Sequence, residues 1–181
     1  MASLLAARDS YYTSCRFADV FAHVRRAPES VAGRIAAIPG VAVAETRLVE
    51  PVMIPIEGLP EPATGRVISL PRGGEPRLNA LALRSGRSLD SSHPDEALLI
   101  ESFARAHRLE PGARLSVVMN GVLRTVTVVG IVLSPEYVMA VGGGAGQDFA
   151  PEDKRFAVLF MDRDAVAPLF DKEGAFDDVS L

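Results

Sequence analysis

The sequence predicts an α+β fold in which helix-containing units at the two chain ends flank a strand-rich middle segment. Three observations indicate this arrangement. A β-α-β pattern covers Arg16–Ile54, a β-α pattern covers Phe156–Lys172, and the strand patterns between them follow a stretch dense in proline and glycine. The chain has 181 residues, of which 48% are hydrophobic and 23% charged, so it is long enough to fold around a hydrophobic core.

The first unit begins with a strand pattern over Arg16–Val24, where aromatic and apolar residues alternate with polar ones. Pro28 suits the first turn of a following helix, and three apolar residues have the spacing of a buried helical stripe: Val31, Ile35 and Ile38. Pro39-Gly40 ends that helix. From Val41 to about Ile54 the side chains alternate with period two, which predicts one continuous strand.

The middle segment opens with a boundary between Pro55 and Pro76, in which prolines and glycines are interrupted by the short apolar run Val67–Leu70. Leu78–Leu83 is then typical of a strand, and Gly86 of a turn. Glu96–Ile100 predicts a short buried strand that leads into a helix over about Ser102–Arg108. The middle segment is therefore expected to be mainly β.

A β-hairpin is the sharpest local prediction. Two runs rich in β-branched residues, Arg114–Met119 and Val122–Val132, flank the dipeptide Asn120-Gly121. Asn-Gly accepts the positive φ angles of a type I′ turn, whose twist matches that of the adjoining strands.

The final unit combines an apolar run with a helix pattern. Phe156–Met161 predicts a strand buried on both faces, and Asp164 is the expected N-cap of a helix over Ala165–Lys172. Pro168 is compatible with that helix if it lies in the first turn.

Charge and composition exclude several classes of protein. Lysine and arginine together number 19 and aspartate and glutamate 23, a net charge of −4, and no dense basic stripe is present, so we expect no nucleic-acid partner. Cys15 is the one cysteine, which excludes internal disulfides and thiolate metal clusters. The longest apolar stretch, Val126–Leu133, is far shorter than the ~18–20 residues of a membrane-spanning helix.

The histidines and the cysteine suggest no site. His23 lies on a strand, His93 in a turn and His107 at a helix end, and a structural role is expected for each. Cys15 and His23 could form a thiol–imidazole pair, but no third, orienting residue is indicated, and a buried structural thiol is the favoured interpretation.

Two carboxylate clusters and a glycine-rich loop are candidate binding sites. Asp162–Asp164 and Asp177-Asp178 could hold a hard cation, although helix capping explains the first more simply and the pattern of a calcium loop is missing. Gly142–Gly146 lacks the Gly-Lys-Ser/Thr of a phosphate loop, since Gln147-Asp148 follows it. We therefore predict no catalytic, cofactor-binding or metal-binding residue, and no cofactor.

The chain ends suggest a fragment of a longer protein. Met1–Ala7 has no basic segment before its leucines and so lacks the pattern of a secretory signal. Ala175–Leu181 stops on an apolar residue with no polar tail.

Several stretches, in order, resemble the extracytoplasmic core domain of MacB/FtsX-like ABC transporter permeases, and the resemblance covers nearly the whole chain. The N-terminal stretches are Tyr11-Tyr12, Arg16–Phe21, Arg26–Pro28, Arg34-Ile35 and Ile38–Val41. The later ones are Leu81–Arg87, Asp95–Ile100, Phe103-Ala104, Leu109–Gly112, Val129–Ile131, Ser134–Val138 and Asp171–Phe176. In that family the domain lies between the first and second transmembrane helices, which agrees with the hypothesis of a fragment.

The resemblance implies two lobes. An α/β, porter-like lobe would comprise residues 9–57 and 147–181, from both chain ends, and a β-rich, sabre-like lobe of residues 58–146 would be inserted between them. Strands from the two ends would then share one sheet, which brings the termini together above the membrane.

The resemblance also implies a non-enzymatic role at the extracytoplasmic, periplasmic side of the cytoplasmic membrane, in a full-length protein integral to that membrane. ATP hydrolysis would occur on a separate cytoplasmic ATPase subunit, and this domain would carry the motion of the membrane helices to a lipid, lipoprotein, peptide or protein. The implied partners are that ATPase, a second permease copy, and a periplasmic adaptor or lipoprotein. Tyr137–Asp148 is the candidate contact loop.

Two alternatives remain open from the residues. A small hydrolase using Cys15 or a serine with a histidine would require a concave pocket where these side chains meet. A free-standing soluble binding protein could share the two-lobed fold, because a fold alone does not fix function.

Overall fold

A computed structural model describes residues 11–58, 60–71, 75–137 and 155–181. These residues form two β-sheets and several short helices, which confirms the predicted α+β class. The strands are β1 (Phe21–Pro28), β2 (Glu45–Arg47), β3 (Val49–Ile54), β4 (Ala63–Leu70), β5 (Ala82–Gly86), β6 (Glu96–Ile100), β7 (Arg114–Met119), β8 (Val122–Leu133), β9 (Phe156–Asp162) and β10 (Ala175–Ser180). The helices are α1 (Ala32–Ala36), α2 (Glu101–His107) and α3 (Arg163–Leu169), with 3-10 turns at Glu29–Val31 and Pro135–Tyr137.

The smaller sheet has three strands in the order β1-β10-β2. β10 is antiparallel to both neighbours, with Phe21 opposite Ser180 and Thr46 opposite Val179. β1 and β2 are thus parallel to each other, joined through α1, and separated by a strand from the other end of the chain. Strands from both chain ends therefore share one sheet, as expected, but the C-terminal strand in it is β10 and not the strand predicted at Phe156–Met161.

The larger sheet has seven strands in the order β5-β8-β6-β9-β4-β3-β7, and it closes on itself because β7 also pairs with β8. The 12-residue β8 is long enough for both roles. Its first half, Val122–Thr127, pairs with β7, while its second half pairs with β6 and β5. Fully buried apolar side chains fill this closed sheet, among them Leu99, Phe103, Leu159 and Phe160.

A glycine permits the tight contact between β4 and β9 in the larger sheet. These strands are parallel, and Gly65 is paired with Ala157. A Cβ atom at position 65 would lie 2.5 Å from the backbone oxygen of Ala157, closer than Cβ atoms come to such atoms. A side chain at this position would therefore push the two strands apart.

The local predictions with the clearest turn and capping signals are confirmed. The hairpin forms as β7 and β8 around Asn120-Gly121, whose φ angles of 47° and 77° suit a type I′ turn. The strand at Glu96–Ile100 has its predicted bounds, and α2 begins one residue earlier and ends one residue earlier than predicted.

The first unit departs from its predicted form. β1 begins at Phe21 rather than Arg16, and the helix is only the five residues of α1 after a 3-10 turn. No residue of α1 is buried, and Ile38 is 51% exposed, so the predicted stripe of Val31, Ile35 and Ile38 does not form a buried face. A helix this short ends before its third apolar residue can reach a core.

The predicted strand over Val41–Ile54 divides at Leu48 into β2 and β3, which belong to different sheets. Leu48 is fully buried, and both of its backbone groups bind Ser69. The Leu48 amide donates to Ser69 Oγ at 2.9 Å, and the Ser69 amide donates to the Leu48 oxygen at 2.9 Å. This hydrogen bonding holds the chain as it passes from one sheet to the other.

The stretch predicted to be a boundary contains an internal strand. Val67–Leu70 is the second half of β4, which lies between β3 and β9 in the larger sheet. The strand predicted at Leu78–Leu83 is instead β5, at Ala82–Gly86. Asn79 causes the shift, since its φ of 53° is incompatible with a strand.

In the C-terminal unit, β9 begins at Phe156 as predicted, but the helix begins and ends earlier than predicted, at Arg163 and Leu169 instead of Ala165 and Lys172. Asp162, not Asp164, caps α3, accepting a hydrogen bond from the Asp164 amide at 2.8 Å, and Pro168 therefore lies in the last turn. The segment beyond α3 forms β10, a strand that the sequence pattern did not predict.

β9 pairs with β4 and β6 in the larger sheet, so the two strands after residue 154 contribute to different sheets.

The lobe division at residues 9–57, 58–146 and 147–181 stays a prediction. Gly142–Gly146, and the loop Tyr137–Asp148 beyond Tyr137, lie outside the described residues.

Candidate functional site: the junction of the chain ends

The segment that leads into β1 and the segment that follows β10 are joined by backbone hydrogen bonds. The amides of Asp19 and Val20 donate to the oxygen of Leu181 at 2.8 and 3.2 Å. The Leu181 amide donates back to the Val20 oxygen at 2.9 Å. The two ends of the domain therefore meet at one end of the smaller sheet.

Asn79 ties this junction to the larger sheet. The side chain is buried, its Oδ1 accepts from the Ala18 amide at 2.9 Å, and its Nδ2 donates to Ser180 Oγ at 3.4 Å. The Asn79 amide also donates to the Arg16 oxygen at 3.0 Å. Asparagine tolerates the left-handed φ of this position better than most residues. Because β5 begins three residues later, the junction is linked directly to that strand.

A buried ion-pair network forms a second link between the sheets. Arg47 on β2 donates from Nε to Asp178 Oδ1 at 2.8 Å, and from Nη1 and Nη2 to the two oxygens of Glu136 at 2.5 and 3.0 Å. Asp178 is on β10 and fully buried, while Glu136 follows β8. Burial acts to lower the pKa of Arg47, but hydrogen bonds and attraction from both carboxylates outweigh it and raise that pKa above its usual value.

Asp177 forms a third link from β10. Its Oδ1 accepts from the Val49 amide on β3 at 2.8 Å, and its Oδ2 accepts from Lys172 Nζ at 2.7 Å. Lys172 also lies 2.5 Å from Glu50 Oε1. Burial raises the pKa of Glu50, and the Lys172 ammonium partly opposes that effect. Adjacent residues of β10 thus connect to different strands, which makes β10 the hub between the two sheets.

An aromatic cluster flanks the junction on the N-terminal side. The rings of Tyr12 and Phe17 are 4.8 Å apart between centroids, and those of Phe17 and Phe21 are 5.5 Å apart. The Arg47 guanidinium lies 5.9 Å from the centroid of the Phe21 ring, a cation–π distance. The cluster therefore packs against the same arginine that joins the sheets.

The three histidines occupy separate environments. His23 Nδ1 lies 2.7 Å from Asp178 Oδ2 at the edge of the buried network, with its own side chain 66% exposed. His93 is in an exposed turn, 3.3 Å from an Asp90 oxygen. His107 is the last residue of α2, and its ring lies 4.4 Å from that of Phe103.

Cys15 is buried, and within the described residues no hydrogen bond joins it to His23. The backbone oxygen of Cys15 accepts a hydrogen bond from the Ala80 amide at 2.8 Å. Burial and the neighbouring Cys15 raise the pKa of Tyr11 to about 12. The thiol–imidazole pair considered from the sequence is therefore not assembled in this structure.

The two carboxylate clusters have protein partners. Asp162 caps α3 and accepts from Ser91 Oγ at 2.7 Å, and Asp177 and Asp178 bind Lys172 and Arg47. Across residues 11–58, 60–71, 75–137 and 155–181, no group of three or more histidine, cysteine or acidic side chains is arranged to hold a metal ion. In those same ranges, the helices are all too short or too polar to cross a membrane.

Sequence reasoning singled out Asp177 and Asp178 but missed Arg47, which pairs with Asp178. It also missed Asn79, which binds Ala18 and Ser180, and Glu136, which pairs with Arg47. A signal for Arg47 was present, because an arginine inside an apolar alternating strand needs a buried acceptor. Asn79 and Glu136 gave no local signal, since their partners are 61 and 89 residues away in the chain.

No protein-family model matches the sequence, and no curated protein matches it. The structure is similar to the crystal structure of the extracellular domain of the noncanonic ABC-type transporter YknZ from Gram-positive bacteria. The TM-score is 0.54 at 12% sequence identity, over 86% of this chain and 72% of that one. The periplasmic region of MacB from Actinobacillus actinomycetemcomitans gives a TM-score of 0.48 at 15% identity, over 87% of this chain and 64% of that one.

The similarity to the YknZ domain confirms, for the fold, the resemblance found in the residue patterns. This chain accordingly has the α+β fold of an extracellular domain of an ABC-type transporter.

Proposed function

We propose that this chain is the extracytoplasmic domain of an ABC transporter permease subunit, and that it transmits ATP-driven motion of membrane helices to a substrate or partner outside the membrane. The observation that carries the proposal is the backbone pairing of Asp19 and Val20 with Leu181. A domain inserted between two membrane helices must return its chain to the point where it left, and this pairing does so. The fold shared with the YknZ extracellular domain supports the same role.

The junction is well placed to transmit force. A displacement applied at either chain end acts on β10, which pairs with β1 and β2 along its two edges. From β10 it reaches the larger sheet by three routes: Ser180 to Asn79, Asp178 through Arg47 to Glu136, and Asp177 to Val49. Because these contacts are mostly buried and charge-assisted, the two sheets should move as one body.

The complete assembly would include a cytoplasmic ATPase subunit, which hydrolyses ATP, and a second permease copy. A periplasmic adaptor or a lipoprotein is the further partner, and the cargo is a lipid, lipoprotein, peptide or protein. The protein would be integral to the cytoplasmic membrane, with this domain on the periplasmic side. We retain residues 9–57 with 147–181 as one proposed lobe and 58–146 as the other.

The coding sequence on both sides of the chain tests the placement. We expect apolar stretches of ~20 residues immediately before Met1 and after Leu181. We also expect a neighbouring gene for an ATPase with a Gly-x-x-x-x-Gly-Lys-Ser/Thr phosphate loop. A stop codon after Leu181 with no upstream span would instead favour a free-standing soluble binding protein of this fold.

A cross-link tests the mechanical role in the full-length permease with its ATPase. Val20→Cys combined with Leu181→Cys places two thiols on a directly paired position, where a disulfide is geometrically allowed. If the ends move together, oxidation leaves ATP hydrolysis by the complex unchanged relative to each variant that carries only one of the two added cysteines. A loss of hydrolysis on oxidation, recovered by reduction, would show that the ends separate during the cycle and would contradict the proposal.

A further inference from the structure

We propose that a groove between the two sheets binds a phosphate monoester, whose phosphate group is held by Arg25 and Arg66. The groove lies between β1 of the smaller sheet and β3 and β4 of the larger one, and has a volume of about 460 Å³. This binding site goes beyond the transporter role proposed above and does not depend on it.

An irregularity in β1 shapes one wall of the groove. The pairing of β1 with β10 is regular up to His23 and resumes at Ala27, and the three residues between them stand opposite Asp177 alone. Bulges of this kind bend a strand and re-aim its side chains, and they are common beside functional sites. Two residues of this bulge, Val24 and Arg25, line the groove.

Three cationic side chains line the groove, each from a different part of the fold: Arg25 on β1, Arg66 on β4 and Lys172 after α3. Asp177 also lines it, but its Oδ1 accepts from the Val49 amide and its Oδ2 from Lys172. Lys172 pairs with a second carboxylate, that of Glu50, so its charge is already balanced. The two arginines therefore supply the attraction for an anion.

Both arginines have N–H groups available for a ligand. Their side chains are exposed, and within residues 11–58, 60–71, 75–137 and 155–181 Arg25 takes part in no ion pair. Arg66 hydrogen-bonds Tyr137, which leaves most of the five N–H groups of its guanidinium unused. A guanidinium donates two parallel hydrogen bonds to phosphate oxygens, and a monoester has three unesterified oxygens to share between two arginines.

The rest of the groove suits the organic part of an ester. Three of its lining residues are apolar, Val24, Val49 and Pro51. An apolar cavity of about 150 Å³ accommodates benzene, so about 460 Å³ has room for a phosphate and an attached group of similar size. Covering the apolar side chains would add to the attraction of the phosphate by the arginines.

The histidines provide a built-in test. His23 lines the groove, whereas His107 lies remote from it between two exposed arginines, Arg105 and Arg108. The 181-residue chain is titrated at pH 7 and constant ionic strength with n-butyl phosphate or n-butanol, and the histidine ring resonances are followed by NMR. We expect butyl phosphate to shift His23 saturably and to bind at least about tenfold more tightly than butanol. Equal affinities, or equal shifts of His23 and His107, would overturn the proposal.

Two adjacent arginines provide a matched pair of variants. Arg25→Gln and Arg26→Gln change exposed neighbours on β1 and alter the net charge equally, but only Arg25 lines the groove. We expect butyl phosphate affinity to fall about tenfold in the first variant and to stay within about twofold in the second. Arg66→Gln should repeat the loss, with Arg124→Gln on β8 as its control. Equal effects within either pair would refute the site.

Vesicles identify the source of the phosphate ester. They are made of phosphatidylcholine with or without phosphatidic acid, whose headgroup is a phosphate monoester. Co-sedimentation that requires phosphatidic acid and is weakened by Arg25→Gln but not by Arg26→Gln would assign the groove to a lipid headgroup. Binding of butyl phosphate without co-sedimentation would assign it to a free ester. Failure of both probes to bind would contradict the proposal.

Discussion

Replacing Arg47 with methionine should destabilise the domain more than a substitution at an exposed position, because it removes the arginine that neutralises two buried carboxylates. The Arg47 side chain is 7% exposed, and its partners Glu136 and Asp178 are 11% and 0% exposed. Methionine retains most of the length of the side chain but supplies no donor. Removing one member of a buried ion pair typically costs about 3–5 kcal/mol, since the remaining charge is neither paired nor hydrated.

Urea denaturation measures the effect. With a slope of about 2 kcal/mol per molar urea, this cost lowers the midpoint by about 1.5–2.5 M. Arg124→Met is the matched control, because Arg124 lies exposed on β8 and the change should remain within about 0.5 kcal/mol. A loss below about 1 kcal/mol for Arg47→Met would refute the view that this arginine neutralises buried charge.

Neutralising the two carboxylates as well distinguishes the electrostatic cost of losing Arg47 from the cost of lost packing. In the triple variant Arg47→Met, Asp178→Asn, Glu136→Gln, no buried charge lacks a partner. We expect it to recover more than half of the stability lost by the single variant, because neutral groups are cheaper to bury than unpaired charges. If the triple variant is as unstable as Arg47→Met alone, the loss comes from packing and the reasoning is wrong.

Three further predictions follow from the fold and can be checked by the same denaturation experiment. Gly65→Ala should destabilise the domain by about 2 kcal/mol or more because its Cβ would meet the Ala157 oxygen. Gly33→Ala in α1, where a Cβ atom would meet nothing within 4 Å, should stabilise it by about 0.5–1 kcal/mol, and equal effects of the two substitutions would contradict the prediction. Asn79→Ala should cost about 2 kcal/mol, since it leaves a buried amide without its acceptor, and a neutral result would argue against that role. Burial raises the pKa of Glu45 above 4.5, although hydrogen bonds from backbone amides partly oppose this, so the protein loses stability as this carboxyl ionises with rising pH. Glu45→Gln, which cannot ionise, should therefore gain stability relative to the parent protein between pH 4 and pH 7. A stability difference that stays constant over this range would refute the assignment.

Local sequence patterns were sufficient where structure depends on near neighbours. Asn120-Gly121 specifies its own turn, and Glu96–Ile100 with α2 follows from a short apolar run and a helix pattern. These predictions succeeded because each signal and its structural consequence lie within a few residues of one another.

Prediction failed where distant contacts decide the outcome. Val41–Ile54 shows one uninterrupted alternation, yet Leu48 breaks it by bonding to Ser69, 21 residues away. β10 contains two adjacent acids, which disfavour a buried strand until Arg47 and Lys172 are present to neutralise them. For the same reason, the sequence could predict that the chain ends meet but not which residues form the junction.

The position of β10 also has a consequence for the order in which the chain is made. Every strand of the larger sheet lies between Val49 and Asp162, so that sheet can be complete before β10 is synthesised. β1 and β2 must wait, since Arg47 and its partner Asp178 are 131 residues apart. Until β10 is made, both strands present unpaired edges, which invite non-native pairing. The surface where the two ends of this domain meet is consequently the last part of the domain to form, and a chain that stops before β10 would leave it incomplete.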